Sequence, residues 1–231
     1  MDLTVDRSMT TLRITDLRKR FQTEVLRGVN LIAGGGSVTA ILGENGSGKT
    51  TLLTCLLGLQ QHAGSVDILG GEGKALPTQG STFGVLDRFL LYPRWTVKAN
   101  VNYFLNDPKA FDHQSVTSLV PRSWSRARAG TLSTGQVKLV MLGIAFASSA
   151  PVVVLDEFVN GLDESARQTA KAHILQAQRE GRIIIATGHD LAILEEVATH
   201  TYILQQGQLT DVTPEIHGGR SMREVYRERL V

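Results

Sequence analysis

One glycine-rich segment restricts the fold of this chain more than any other feature. It fits the pattern G-x-x-x-x-G-K-[ST] and reads Gly43-Glu44-Asn45-Gly46-Ser47-Gly48-Lys49-Thr50. Such a segment works as a turn between a strand and a helix, where backbone amides converge on an anion. The apolar run 38–42 precedes it, and a helical stretch from Lys49 to Leu57 follows it. The segment therefore predicts an α/β fold that binds a nucleoside triphosphate.

Each residue type in this segment has a physical reason. Gly43, Gly46 and Gly48 let the backbone wrap closely around a phosphate, where side chains would clash. Lys49 places a positive charge on the β and γ phosphates, and the Thr50 hydroxyl is a ligand for Mg²⁺. A coincidental glycine-rich turn is the alternative, and the flanking strand and helix speak against it.

The C-terminal half alternates between strand and helix patterns. The runs 152–155 and 183–187 have no polar face, as expected for parallel strands covered on both sides. Between them, residues 163–178 place small apolar side chains on one helical stripe. Near the N-terminus, 12–17 alternates between apolar and polar residues, which predicts a strand with one solvated face.

The region from Arg88 to Ala150 breaks this pattern, with few strand signals and a helical stretch over 134–147. We therefore expect a single domain over 1–231. Its core comprises 9–87 and 151–212, its mostly helical subdomain comprises 88–150, and a C-terminal amphipathic helix covers about 219–231.

Bulk properties exclude several classes of protein. The net charge of +2 and the lack of a basic block argue against a nucleic-acid partner. Cys55 is the only cysteine, which excludes a disulfide scaffold and favours a buried thiol. No apolar stretch approaches the roughly 20 residues that cross a bilayer, so any channel must come from another chain.

Two acidic residues follow the strand predicted over 152–155. The carboxyl ends of parallel strands are the usual ligand edge of such sheets. There we expect Asp156 to hold Mg²⁺ and Glu157 to act as general base, a role that contributes about 10²- to 10⁴-fold in rate. Taken alone, the two acids could instead cap the next element.

A pentapeptide narrows the class of nucleotide-binding protein. Leu132-Ser133-Thr134-Gly135-Gln136, here called the 132–136 segment, lies between the phosphate loop and the acidic pair. Together the three motifs resemble the nucleotide-binding subunit of an ABC transporter, over roughly 10–230. The resemblance implies a P-loop NTPase (RecA-like) core, an N-terminal antiparallel β subdomain and a helical insert. It also implies hydrolysis of ATP with Mg²⁺.

The resemblance assigns roles to particular residues. It places ATP contacts at Phe21, Gly43, Asn45, Gly46, Ser47, Gly48, Lys49, Thr50, Thr51, Ser133, Thr134, Gly135 and Gln136. It assigns catalysis to Lys49, Glu157 and His189, and Mg²⁺ to Thr50, Asp156 and Asp87. Phe21 stands where the family carries an aromatic that stacks on adenine, although core packing is the simpler explanation of one phenylalanine. Residues 160–163 match the family loop that runs along the interface between the two domains of the dimer.

Four positions depart from the usual family pattern. Asp87 stands in place of glutamine, Thr134 of glycine, Phe158 of proline and Leu139 of arginine. A carboxylate at 87 can still ligate Mg²⁺ but cannot donate a hydrogen bond. Acidic residues occur at this position in exporters of drugs, bacteriocins and polymers, which favours export. Since no group needed for hydrolysis is missing, we expect an active ATPase.

The resemblance also implies partners. Two such domains stack head to tail, so that the 132–136 segment of one closes on ATP held by the other. The second domain is either another copy or a related chain. Residues Arg88–Val97 are expected to help form a groove for a transmembrane permease subunit, unless their large side chains pack the insert against the core.

This assembly would work at the cytoplasmic side of the membrane, as a peripheral component. Two other functions stay open at this point. One is a soluble ATPase of the same type acting in assembly or with nucleic acid, and the other is a nucleotide-gated module with weak turnover.

Overall fold

The computed structural model describes residues 7–86 and 91–230. Its strands are β1 (Thr11–Arg20), β2 (Glu24–Gly34), β3 (Val38–Leu42), β4 (Ala63–Leu69), β5 (Ala75–Leu76), β6 (Thr82–Val85), β7 (Val152–Leu155), β8 (Ile183–Thr187), β9 (His200–Gln205) and β10 (Gln208–Asp211). Its helices are α1 (Lys49–Leu56), α2 (Thr78–Ser81), α3 (Val97–Leu105), α4 (Gln114–Thr117), α5 (Thr134–Ala147), α6 (Glu164–Arg179), α7 (Leu191–Val197), α8 (Thr213–His217) and α9 (Met222–Leu230).

The strands form two sheets of different type. One is antiparallel with the order β2-β1-β4-β5. The other has the order β10-β9-β3-β8-β7-β6 and is parallel from β9 to β6. Only β10 runs antiparallel within it, as the second strand of a hairpin with β9. The prediction of an α/β core with an N-terminal antiparallel sheet is confirmed.

The parallel sheet is buried on both faces because alternate side chains serve two cores. On β7, Val152 and Val154 join α1 and the antiparallel sheet. Val153 and Leu155 join the helices on the opposite side. This alternation explains why β7 and β8 lack a polar face in the sequence.

Helix α1 lies between the two sheets, directly after the glycine-rich turn. It contributes Leu52, Leu53 and Leu56 to the core that the sheets share. Cys55 belongs to the same core and is 1% exposed, and burial raises the pKa of its thiol. The expectation of a buried thiol is confirmed.

Helix α5 is held at both ends. At its start, the Ser133 hydroxyl accepts a hydrogen bond from the Gln136 amide, and the Gln136 side chain accepts one from the Ser133 amide, which is a capping box. At its end, the buried Arg182 donates to the carbonyl oxygens of Ala145 and Phe146, at 3.0 and 3.2 Å. These carbonyls belong to the last helical turn, where no amide of the same helix donates to them.

Arg182 also ties α5 to the parallel sheet. It directly precedes β8, and its Nε donates to the Ala150 carbonyl at 2.9 Å, just before β7. Burial lowers the pKa of Arg182 to about 10, so the guanidinium remains charged at neutral pH. A buried charge is tolerated when it is hydrogen-bonded, and here the partners are three backbone carbonyls and the Ser148 hydroxyl.

The C-terminal helix predicted over about 219–231 is α9, Met222–Leu230, which begins after Ser221. Met222 and Val225 are buried in the main core. Arg220 and Arg229 both pair with Glu215 of α8, at 2.8 and 2.5 Å. Among residues 7–86 and 91–230, no helix combines the length and the apolar character that a membrane crossing requires.

Replacing Arg182 with methionine removes the side-chain donor from the Phe146 and Ala150 carbonyls at a buried site, whereas the Ala145 carbonyl keeps its bond from Ser148 Oγ. We expect Arg182→Met to lower the free energy of unfolding by about 2–4 kcal/mol, measured by urea titration. The control is Arg179→Met, an exposed arginine in the last turn of α6, for which we expect a change within about 0.5 kcal/mol. Equal stability of the two variants would contradict this account of Arg182.

Candidate functional site

The glycine-rich turn forms a concave loop between β3 and α1. Gly46 and Gly48 have φ of 84° and 106°, a region that favours glycine. At Gly43, a Cβ atom would lie 2.5 Å from the Leu204 carbonyl oxygen. The loop therefore depends on glycine for both its conformation and its packing.

Lys49 is folded back over this loop. It is only 7% exposed, and its Nζ donates to the carbonyl oxygens of Gly43 and Glu44 at 2.7 and 3.0 Å. Burial lowers the pKa of Lys49, while the carboxylates of Glu157 and Asp156 act in the opposite direction. The ammonium thus lies at the mouth of the loop, near two acidic side chains.

The loop also has an unsatisfied donor. Within the described part of the chain, Ser47 Oγ is buried and has no hydrogen-bond partner. A buried hydroxyl without a partner is uncommon and calls for an explanation such as an absent ligand. Together with the converging backbone of a strand–loop–helix turn, it fits the oxygens of a bound phosphate.

A hydroxyl and a carboxylate lie side by side next to the loop. Thr50 Oγ1 donates to Asp156 Oδ2 at 2.9 Å, and Thr187 Oγ1 donates to Asp156 Oδ1 at 2.6 Å. Asp156 is 2% exposed, so these bonds fix its orientation. Oxygen donors of this kind fit Mg²⁺, which keeps several waters and binds through one or two protein groups plus phosphates.

This arrangement offers few protein ligands. In residues 7–86 and 91–230, no group of three or more His, Cys, Asp or Glu side chains is arranged to hold a metal ion. The pair Thr50 and Asp156 suits an ion that is completed by phosphate oxygens and water. Asp87, the third predicted magnesium ligand, lies outside the described residues.

Glu157 has an unusual backbone conformation. Its φ is 48°, in the left-handed region, which costs of the order of 1–3 kcal/mol for a residue other than glycine. Its amide donates to Thr187 Oγ1 at 3.2 Å, and its carbonyl accepts from Lys138 Nζ at 2.8 Å. Strand β8 and helix α5 thus hold both of its backbone polar groups.

The Glu157 carboxylate is held by two more side chains. Asn160 Nδ2 donates to Oε2 at 2.9 Å, and His189 Nε2 lies 3.2 Å from Oε1. The same imidazole nitrogen lies 3.0 Å from Asn45 Oδ1 in the glycine-rich loop. His189 therefore connects the loop to the carboxylate, and the structure brings three of the predicted site regions together.

The 132–136 segment lies elsewhere, at the start of α5. A Cβ atom on Gly135 would overlap the carbonyl oxygen of Gly161, so this turn packs directly against residues 160–163. A helix provides no acceptor for the amides of its first turn, which here include those of Thr134 and Gly135. Those amides and the capping Ser133 form a second place where an anion could bind.

The remaining predicted contacts lie at the edges of the site. Thr51 is in the first turn of α1, and Phe21 is 54% exposed between β1 and β2, with Lys19 Nζ 4.8 Å from its ring centre. Thr23 and Val25, on the same hairpin, line an open cleft of about 430 Å³ together with the glycine-rich loop. Phe21 belongs to this hairpin but is not among the residues that line the cleft.

Two residues of the site were missed in the sequence. Thr187 ends a buried strand, and only the pairing of β7 with β8 brings it to Asp156 and Glu157. Lys138 stands in an otherwise apolar stretch of α5 and is 6% exposed. A lysine among apolar positions was a signal available in the sequence.

Sequence comparison shows which known proteins the chain is similar to. Residues 26–160 match the sequence profile of the family described as "ABC transporter". The chain is 33% identical over 219 residues to the aliphatic sulfonates import ATP-binding protein SsuB of Corynebacterium glutamicum, covering 90% of this chain and 86% of that protein. It is 31% identical to the sulfate/thiosulfate import ATP-binding protein CysA of Mycolicibacterium paratuberculosis, covering 92% of this chain and 62% of that protein.

Solved structures share the fold. The ATP-binding subunit of an ABC transporter superimposes with a TM-score of 0.81 at 22% identity, covering 94% of this chain and 98% of that one. A bacterial Atm1-family ABC exporter with ATP bound gives a TM-score of 0.77 at 18% identity, covering 96% of this chain and 42% of that one. The profile match over more than half of the chain and the relative at 33% identity show that the chain belongs to the ABC transporter family, as an ATP-binding, ATP-hydrolysing subunit.

Proposed function

We propose that this chain is the motor subunit of a transporter and that Glu157 activates the water that attacks ATP. The observation that carries this proposal is the meeting of the glycine-rich loop, Asp156, Glu157 and His189 at one edge of the parallel sheet. Two acidic residues with separate hydrogen-bond partners suit two separate roles. The Asp156 carboxylate is fixed by two hydroxyl groups, whereas the Glu157 carboxylate contacts the side chains of Asn160 and His189.

The chain's own residues position the reaction. Lys49 leaves the carbonyls of Gly43 and Glu44 when a phosphate offers stronger, charge-assisted bonds. Glu157 accepts the proton of the attacking water, and His189 donates to the terminal phosphate from the position where it now meets Asn45. Thr50 and Asp156 would hold Mg²⁺, which would neutralise part of the phosphate charge when bound.

We infer that a second copy of the chain completes each site. In one chain, the 132–136 segment packs against Gly161 rather than over its own glycine-rich loop. Its first-turn amides and Ser133 are suited to the γ phosphate of ATP held by another copy. Because every copy carries both halves, two copies in head-to-tail arrangement form two sites.

The surface proposed for the permease contains an exposed aromatic cluster. Tyr92, Trp95 and Tyr103 are 43%, 41% and 55% exposed, and the Tyr92 and Trp95 rings stack at 4.5 Å. The buried Asn100 fixes the loop before α3, since its side chain bonds the amide and carbonyl of Tyr92. Phe104 of α3 also lines a neighbouring cleft of about 470 Å³.

Such a cluster supports a docking role because aromatic side chains dominate interface energies. The transmembrane subunit would approach from this side and hold the chain at the cytoplasmic face of the membrane. The part of the predicted groove formed by residues 88–90 lies outside the described residues.

Export stays a prediction. It depends on Asp87, whose structure is outside the described residues, whereas the named relatives include import proteins for sulfonates and for sulfate or thiosulfate. Uptake and efflux measurements on the assembled transporter would decide the direction.

Changing Glu157 to glutamine removes the base but keeps the size of the side chain. We expect turnover of ATP to fall by about 10²- to 10⁴-fold, with ATP affinity changed by less than about threefold. Phosphate release and nucleotide-binding titrations measure the two quantities. Glu164→Gln, at an exposed carboxylate in α6, serves as the control, and turnover of Glu157→Gln equal to this control would refute the base.

A dimer that keeps its ATP unhydrolysed tests whether two copies share each site. In the Glu157→Gln background, we expect ATP to convert the chain into a dimer in sedimentation velocity. Adding Ser133→Asp should prevent dimer formation, because aspartate still caps the helix while its charge repels the γ phosphate. Gln114→Asp, at an exposed position of α4, should leave the dimer intact, and equal dimerisation of both double variants would count against the shared site.

If the aromatic cluster is the docking surface, charged substitutions in it should separate the chain from its transmembrane partner. Trp95→Glu combined with Tyr103→Glu should reduce co-purification of a transmembrane chain from detergent-solubilised membranes by at least about tenfold, while ATP binding is kept. The control is Ile32→Glu, which alters another exposed apolar residue, 62% exposed on β2. Undiminished recovery with the aromatic variant would place the docking surface elsewhere.

A further inference from the structure

Lys138 is a buried cation that the proposed reaction does not use directly. It belongs to the second turn of α5 and is 6% exposed. Its side chain borders a cavity of about 230 Å³ lined mainly by apolar residues, among them Val85, Leu132 and Met141. An ammonium group in such surroundings is costly unless it is hydrogen-bonded, so the partners of Lys138 matter.

One hydrogen bond of Lys138 reaches the catalytic turn. Its Nζ donates to the Glu157 carbonyl at 2.8 Å, and the Asn160 amide donates to the same oxygen at 3.1 Å. On the other side of the residue, the Glu157 amide donates to Thr187 at 3.2 Å. With φ at 48°, Glu157 keeps its left-handed conformation only while its surroundings hold it.

The same helix contacts the catalytic turn at a second point. Gly135 lies so close to Gly161 that a Cβ atom on it would overlap the Gly161 carbonyl oxygen. Gly135 and Lys138 are three residues apart and therefore lie on the same face of α5. Residues 157–161 thus rest against the first two turns of the helix that carries the 132–136 segment.

We propose that Lys138 is a positioning residue that holds the Glu157 carbonyl and so links the 132–136 segment to the catalytic carboxylate of the same chain. The inference rests on the function proposed above, in which Glu157 is the base. In the dimer, the 132–136 segment contacts ATP bound to the other copy, whereas Glu157 acts on ATP bound to its own copy. Closure of one site therefore adjusts the base of the other through Lys138.

The test measures kcat and KM for ATP with Lys138→Met in the full chain. We expect kcat to fall by at least about tenfold and KM to change by less than about threefold, because the glycine-rich loop is untouched. Lys109→Met, an exposed lysine after α3, serves as the control and should match the wild type. A rise in KM in proportion to the loss of kcat, or no loss of kcat, overturns the proposal.

A double-mutant cycle separates positioning from general stability. If Lys138 acts through Glu157, adding Lys138→Met to Glu157→Gln should change the single-turnover hydrolysis rate by less than about twofold. A purely structural role predicts that the full loss caused by Lys138→Met appears again, which would also overturn the proposal. If Lys138→Met does not bind ATP, Lys138→Gln is measured instead. Because glutamine retains an N–H donor, we expect its kcat to stay within about threefold of the wild type, and a loss of about tenfold or more would overturn the proposal.

The two hypotheses fail differently. Wild-type turnover in Glu157→Gln refutes the proposed base whatever the Lys138 variants do. Loss of turnover in Glu157→Gln together with additive effects of Lys138→Met refutes only the link proposed here.

Discussion

The left-handed turn at Glu157 is the constraint on which the rest of the site depends. Its polar groups are satisfied by Lys138 from α5, Thr187 from β8 and Asn160 from the following loop. His189 joins the carboxylate to Asn45 in the glycine-rich loop. Apart from Asn160, these residues are far from Glu157 in the chain, so their contacts form only when the parallel sheet sets β3, β8 and β7 side by side.

Helix α5, which carries the 132–136 segment, is fixed in the structure at both of its ends. Its start is fixed by the Ser133 capping box and its end by Arg182. A helix anchored at both ends can present its first-turn amides to a ligand in a defined orientation. Two departures from the usual family pattern fit this framework, since Thr134 keeps its amide in that turn and Phe158 is fully buried beside Glu157.

Continuous apolar runs predicted the fold well. The bounds of β3, β7, β8 and α5 agree with the sequence prediction, because buried strands and a capped helix are encoded locally. The acidic pair and the glycine-rich loop were also readable, since their chemistry depends on fixed spacing. Thr187 and Arg182 were not, because one works through strand pairing and the other resembles an ordinary surface charge until tertiary contacts bury it.

The central claim is that each active site combines the glycine-rich loop and Glu157 of one copy with the 132–136 segment of another. The most direct measurement mixes Glu157→Gln chains with Ser133→Asp chains, each inactive alone, and follows ATP hydrolysis. In a mixed dimer, one site receives a wild-type Glu157 and a wild-type 132–136 segment, so activity should appear on mixing. Hydrolysis that equals only the sum of the separate variants would contradict the claim.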